Sequence, residues 1–216
     1  MALKILHFKY YRIFASLLII LLIGFSSCSG SKKNNKKKVK YKGIAKVFND
    51  NKEALKYTLT IFVDQPGPGG DRDTYEFVDY NIDAGHTFVK LERENADGTK
   101  STIIVGFYPD KLPRPSTPIT NGYLGDDTVH PFEVKKVYTV TKENFDKSLK
   151  YIETIESSKI KYNLNDYNCT DFVIQTVTAA GEVVPDTYGT WASPNPIFGT
   201  WTGGGSNPGD LGEDLR

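Results

Sequence analysis

Cysteine is scarce in this chain. There are two in 216 residues, Cys28 and Cys169, in very different settings. Two cysteines so far apart in character make no disulfide framework. Histidine is almost as rare, with His7, His86 and His130. One cysteine and two histidines in the body of the chain rarely close a zinc site, so no metal and no cofactor are expected. Long apolar runs are missing too. The longest, "IFASLLIILLIGF", has 13 residues, short of the roughly 20 that a membrane-spanning helix needs. Acid is absent from the first 42 residues, which hold ten of the 27 lysines and arginines.

What stands at the N-terminus follows from those gaps. Lys4, Lys9 and Arg12 precede the short apolar run, and "GFSSCSG" ends it. A basic region, a short apolar stretch and a small-residue exit describe a secretory signal. The serines before Cys28 resemble a bacterial lipobox, with Phe25 where leucine is usual. That resemblance implies a signal peptide over 1–28, lipid on Cys28, and a membrane partner reached through that anchor. The expected location is the bacterial cell envelope, facing the periplasm or the cell surface. Seven lysines between Lys32 and Lys42 mark residues 29–42 as a hydrated tether. Residues 43–216 then carry all 26 acids against the remaining lysines and arginines, a formal −9. An acidic domain argues against nucleic acid, which needs a basic face. The length suits one domain with a core of its own.

Within 43–216 the pattern is mixed. "LKYTLTIFVDQ" (55–65) alternates as a half-buried strand. "GHTFVKLERENADGTKSTIIVGFYP" (85–109) reads as two strands turning at Asp97-Gly98. A Pro-rich crossing follows, then a strand in "HPFEVKKVYTVT". Thr141 can cap a helix with Phe145, Leu149, Ile152 and Ile155 on one face. Asn168 can cap another that begins at Cys169 and carries Phe172, Val173, Val177 and Ala180 at helical spacing. The Gly- and Pro-rich tail, with Trp191 and Trp201, shows no period and is expected to be irregular. Hairpins followed by two helices predict an α+β domain, its antiparallel sheet packed against the cysteine-bearing helix and one further helix.

An unpaired thiol in an oxidising compartment calls for a reason. A helix N-terminus lowers a thiol's pKa, because its free N–H groups and dipole favour the thiolate. Cys169 is placed for this, and a histidine would complete an attacking pair. "GHTFVKL", "GFYP" and "YNCTDFV" followed by "AAG" resemble the circularly permuted papain-like group. That group includes relatives of NlpC-type cell-wall peptidases and the lecithin:retinol acyltransferase-like proteins. In that branch the histidine strand precedes the Asn-Cys helix, as His86 precedes Cys169 by 83 residues here.

The likeness covers roughly 55–185 and implies Cys169 as nucleophile and His86 as general base. The family orients its histidine with a polar residue on the next strand, often another histidine. The Asp97-Gly98 turn puts Tyr108 or Pro109 across from His86, so Tyr108 is a candidate for that role and a departure from the family. Gln65, at a strand end, is a candidate oxyanion donor. The reaction implied is hydrolysis or transfer at an amide or ester carbonyl, with peptidoglycan stem peptides the first substrate guess. A second reading keeps the fold without turnover, as a lipoprotein that binds a glycan, peptide or protein through Tyr123, Trp191 and Trp201.

Overall fold

The computed structural model describes residues 44–67, 76–78, 81–114, 117–195 and 199–216. The expected signal peptide and tether, with Cys28, lie outside the described residues.

Six strands form one antiparallel sheet. They are β1 (Ala54–Asp64), β4 (His86–Asn95), β5 (Lys100–Pro109), β6 (Ile119–Asp126), β7 (Val134–Val140) and β8 (Lys161–Asn163), in the order β7-β1-β4-β5-β6-β8. Two small hairpins stand apart from it: β2 (Glu76–Val78) with β3 (Asn81–Asp83), and β9 (Gly189–Asn195) with β10 (Gly199–Gly205). The helices are α1 (Lys142–Ser158), α2 (Cys169–Ala179) and α3 (Pro208–Asp214). None of the described helices is long and apolar enough to cross a membrane.

Alternation sets the sheet and its core. Leu59, Ile61 and Val63 of β1 and Val89 and Leu91 of β4 share one buried cluster with Val105, Phe107 and Leu124 of the next strands. α1 adds Phe145, Ile152 and Ile155, and α2 adds Phe172, Val173 and Val177. Each such side chain contributes about 1.5–3 kcal/mol through burial. α1 lies against β1 and α2 against β4 and β5, so one sheet face meets both long helices. The α+β class and the antiparallel sheet are therefore as the sequence predicts.

Three elements differ from expectation. β1 is buried on both faces from Thr58 to Val63 rather than half-buried, because it is a central strand and aromatic rings cover its second face. Phe62 stacks on Phe88 of β4, with ring centroids 5.1 Å apart, and Phe132 leans on Phe62 at 4.5 Å. The Pro-rich crossing contains β6. Its glycines disguise it, yet they fit the strand: a Cβ on Gly122 would fall 2.0 Å from the Phe107 ring, and one on Gly125 2.7 Å from the Tyr108 ring. Glycine in a strand marks such close approach. The tail is ordered as β9, β10 and α3 rather than irregular. α3 is capped by the Asn207 side chain and starts with Pro208, a first-turn position where proline loses no hydrogen bond.

Candidate active site

α2 begins with a complete capping box. The Asn168 side-chain oxygen accepts from the N–H groups of Thr170 (2.8 Å) and Asp171 (3.4 Å), and the Asp171 carboxylate accepts from the Asn168 N–H (2.9 Å). The Asn168 amide also donates to Ser206 O at 2.7 Å and Leu164 O at 3.2 Å. This fixes the first turn of α2 and with it the Cys169 sulfur. The thiol is free and only 6 % exposed.

His86 is the first residue of β4, paired with Asp64 of β1. Gly85 before it has φ +66°, and a Cβ there would stand 2.3 Å from the Asp64 carbonyl oxygen. Only glycine lets the chain enter β4 at this point. The imidazole is 7 % exposed and neighbours the Cys169 thiol, so each acts on the other's protonation. Its Nε2 lies 3.3 Å from Oδ2 of Asp127, whose side chain is fully buried. With Nε2 on Asp127, Nδ1 is the nitrogen left for the sulfur. Thiol, imidazole and carboxylate thus form a line, the arrangement of a nucleophile, its base and the group that orients the base.

The electrostatics agree with the line. Burial pushes the Cys169 thiol up, but the His86 hydrogen bond and charge, the Thr87 N–H and the Tyr162 hydroxyl outweigh it. The net shift is downward, toward thiolate. Burial pulls the His86 imidazole down, and hydrogen bonds and charge from Asp127 and Cys169 more than reverse it, so its net shift is upward. The two shifts together favour a thiolate–imidazolium pair.

Tyr108 is at the site. Phe88 faces Gly106, a register that runs on to bring Tyr108 across from His86 rather than Pro109. Its ring stacks on His86 with centroids 4.3 Å apart, and its hydroxyl donates to Oδ1 of Asp127. Tyr108 therefore touches the histidine by its face and the carboxylate by its hydroxyl. Tyr123, a candidate binding aromatic, stacks on the other partner in that row, Tyr108, at 5.6 Å. Trp191 and Trp201 belong to β9 and β10.

Gln65 has a different setting. Its amide nitrogen donates to Gly209 O at 3.0 Å and Glu213 Oε1 at 3.2 Å, and its amide oxygen accepts from Arg216 at 2.6 Å. The side chain docks the C-terminal helix, and none of these contacts is to Cys169.

Four contributors were not singled out from sequence. Asp127 follows directly on β6, so misreading β6 as a crossing hid it. Gly106 sits where a Cβ would fall 2.3 Å from Asp127 Oδ2 and 2.5 Å from His86 Nε2; the "VGFYP" run showed the glycine but not the reason for it. The Tyr162 hydroxyl lies 4.0 Å from the Cys169 sulfur. The Thr87 N–H also helps hold the thiol low, and no sequence signal marks a backbone donor. Among the described residues no cluster of three or more His, Cys, Asp or Glu is arranged to hold a metal ion.

Comparison with protein-family models, with curated proteins and with solved structures finds no match to this chain.

Proposed function

We propose that this chain is a thiol hydrolase or acyltransferase acting at an amide or ester carbonyl. The observation that carries the reading is the Cys169–His86–Asp127 line at the start of a helix. The Cys169 thiolate would attack the carbonyl carbon, forming a C–S bond and a tetrahedral oxyanion. His86 would give its proton to the leaving nitrogen or oxygen as that bond to carbon breaks. Water, or an acceptor hydroxyl or amine, would then attack the thioester carbon and lose its proton to His86. The C–S bond breaks, the acid or transferred acyl product leaves, and the thiolate returns. The Cys169 N–H and the Tyr162 hydroxyl, which neighbour each other, would turn to the oxyanion as donors.

The finer fold assignment, a permuted papain-like domain, belongs to the same proposal. Histidine-strand-before-cysteine-helix order and an antiparallel sheet against that helix support it. So do the Asn-Cys start and its cap. The lipobox-like "SSC" and the lysine tether support a lipid-anchored protein of the bacterial cell envelope, and from that setting peptidoglycan stem peptides are the first substrates to try. Ester and lipid acyl groups come second. The slight exposure of Cys169 and His86 favours one other reading, a domain that binds a glycan, peptide or protein partner without turnover.

The test is the alkylation rate of Cys169 by iodoacetamide against pH. The protein is the full chain with Cys28→Ser, which leaves one thiol. The expected profile rises well below pH 8.5, the ordinary thiol value. His86→Ala should move it to or above that value and slow alkylation at pH 7 about tenfold or more, since each pKa unit is tenfold in thiolate. An ordinary profile, indifferent to His86→Ala, would overturn the enzyme reading and leave the binding one.

A further inference from the structure

The turn after β6 brings a second histidine to the same buried carboxylate. The His130 N–H donates to the Asp127 carbonyl at 3.0 Å, closing a tight turn over residues 127–130. Thr128 ties that turn back to Asp126 through its N–H (3.0 Å) and hydroxyl (2.5 Å). These bonds fix the His130 backbone beside Asp127. The His130 Nε2 is 2.9 Å from Oδ2 of Asp64, at the end of β1, and its Nδ1 is 3.7 Å from Oδ1 of Asp127. Its ring meets His86 edge-on at 4.9 Å and Phe88 at 5.3 Å.

We propose that His130 is a positioning residue for the thiol site. Held between Asp64 and Asp127, it keeps the Asp127 carboxylate turned so that Oδ2 faces His86. The inference rests on the thiol reading above and adds to it a residue that touches neither the sulfur nor a substrate.

The argument is one of placement and count. Asp127 is a fully buried carboxylate, and such a group persists as a charge only when its oxygens are supplied with donors or positive charge. Oδ2 has His86. Oδ1 has the Tyr108 hydroxyl, with His130 Nδ1 beside it. Remove His130 and Asp127 loses the imidazole on its outer side. The hold on His86 loosens, and the imidazolium that stabilises the thiolate weakens with it. The charged or titratable groups around His130 include Asp64 from β1, His86 from β4 and Asp127 on its own turn. Tyr108 of β5 shares Asp127. Glu133, three residues on, turns its carboxylate to the Gln65 N–H at 2.9 Å.

The test is the same alkylation profile on the full chain with Cys28→Ser, now with five more variants. Asp127→Asn should raise the apparent thiol pKa most. His130→Ala should raise it in the same direction, slowing alkylation at pH 7 about three- to tenfold, up to one pKa unit. His130→Asn offers an amide N–H where Nδ1 stood and should restore much of the rate. His130→Gln offers one where Nε2 stood, toward Asp64, and should restore less. A ring that only fills space would not tell Asn from Gln in that order. Should His130→Ala fail to fold by thermal melting, Asp64→Asn decides. It keeps His130 and removes its outer anchor, and a raised apparent pKa supports the inference. An unmoved profile for the folded His130 variants, or for Asp64→Asn where that one decides, overturns it while Asp127→Asn still shifts. An ordinary profile in the Cys28→Ser parent overturns this inference and the thiol reading together, which separates the two failures.

Discussion

At the scale of single residues the site is limited by space as much as by charge. Gly106 leaves room for the His86–Asp127 hydrogen bond, and a Cβ would intrude on both partners at 2.3 and 2.5 Å. Gly106→Ala is expected to cost about 1–3 kcal/mol of stability, as overpacking does. It should also return the thiol profile toward that of an ordinary cysteine, because the imidazole loses its orienting partner. Chemical denaturation and iodoacetamide alkylation of the same preparation check both parts. The shifts at Cys169 and His86 set the pH window. The thiolate is gained as pH rises through the lowered thiol value, and the imidazolium is lost as pH rises through the raised histidine value. Turnover of a cleavable thioester or amide should therefore show an acid limb set by Cys169 and a basic limb set by His86. A rate that climbs without limit above pH 8.5 would contradict this.

At the scale of elements, α2 and α3 hold the reactive end of the sheet. Asn168 is both the cap of α2 and, through Ser206 O, the tie to the chain entering α3. Asn168→Ala removes both and should cost about 1–2 kcal/mol, the upper part of the range for a lost cap. Thr141→Ala removes the simpler cap of α1, one bond from the Asn144 N–H at 3.2 Å, and should cost less. Urea melts of the two variants compare them directly. Gln65 gives a sharper contrast. As the clamp on α3, Gln65→Ala should destabilise by about 1–3 kcal/mol, because it strands the buried Gly209 carbonyl, yet leave the Cys169 profile of the folded protein where it was. A Gln65→Ala protein of native stability with lost acyl-transfer activity would instead restore the oxyanion role expected from sequence.

At the scale of the whole molecule, acidity is the governing property. Several carboxylates are held low by lysine neighbours: Asp97 by Lys52, Glu143 by Lys147, and Glu92, against its partial burial, by Lys100 and Lys90. A carboxylate with a depressed folded pKa contributes stability above its unfolded value and loses it as pH falls. The melting temperature should therefore decline as pH drops below about 4.5, the upper end of the unfolded carboxylate range. These pairs lie at the surface, where salt screens them, so the decline should shrink in 1 M salt. Calorimetry across pH at two salt concentrations measures it.

Much of the molecule could be read from sequence because it is locally encoded. Alternation in 55–63, the Asp97-Gly98 turn, the Thr141 and Asn168 caps and the spacing of Phe172, Val173 and Val177 each act within a few residues. They determined β1, the β4–β5 hairpin, α1, α2 and the placing of Cys169 at a helix start. What the sequence could not determine was decided between segments. β6 depends on rings from β5 covering its glycines. Gln65 looked like a donor for a substrate until α3 folded over it, and α3 lies 144 residues further along the chain. Asp127 gains its role only when the sheet order sets the end of β6 beside the start of β4 across β5. A carboxylate becomes an orienting group through burial and through its distance to an imidazole, and both are properties of the packed sheet.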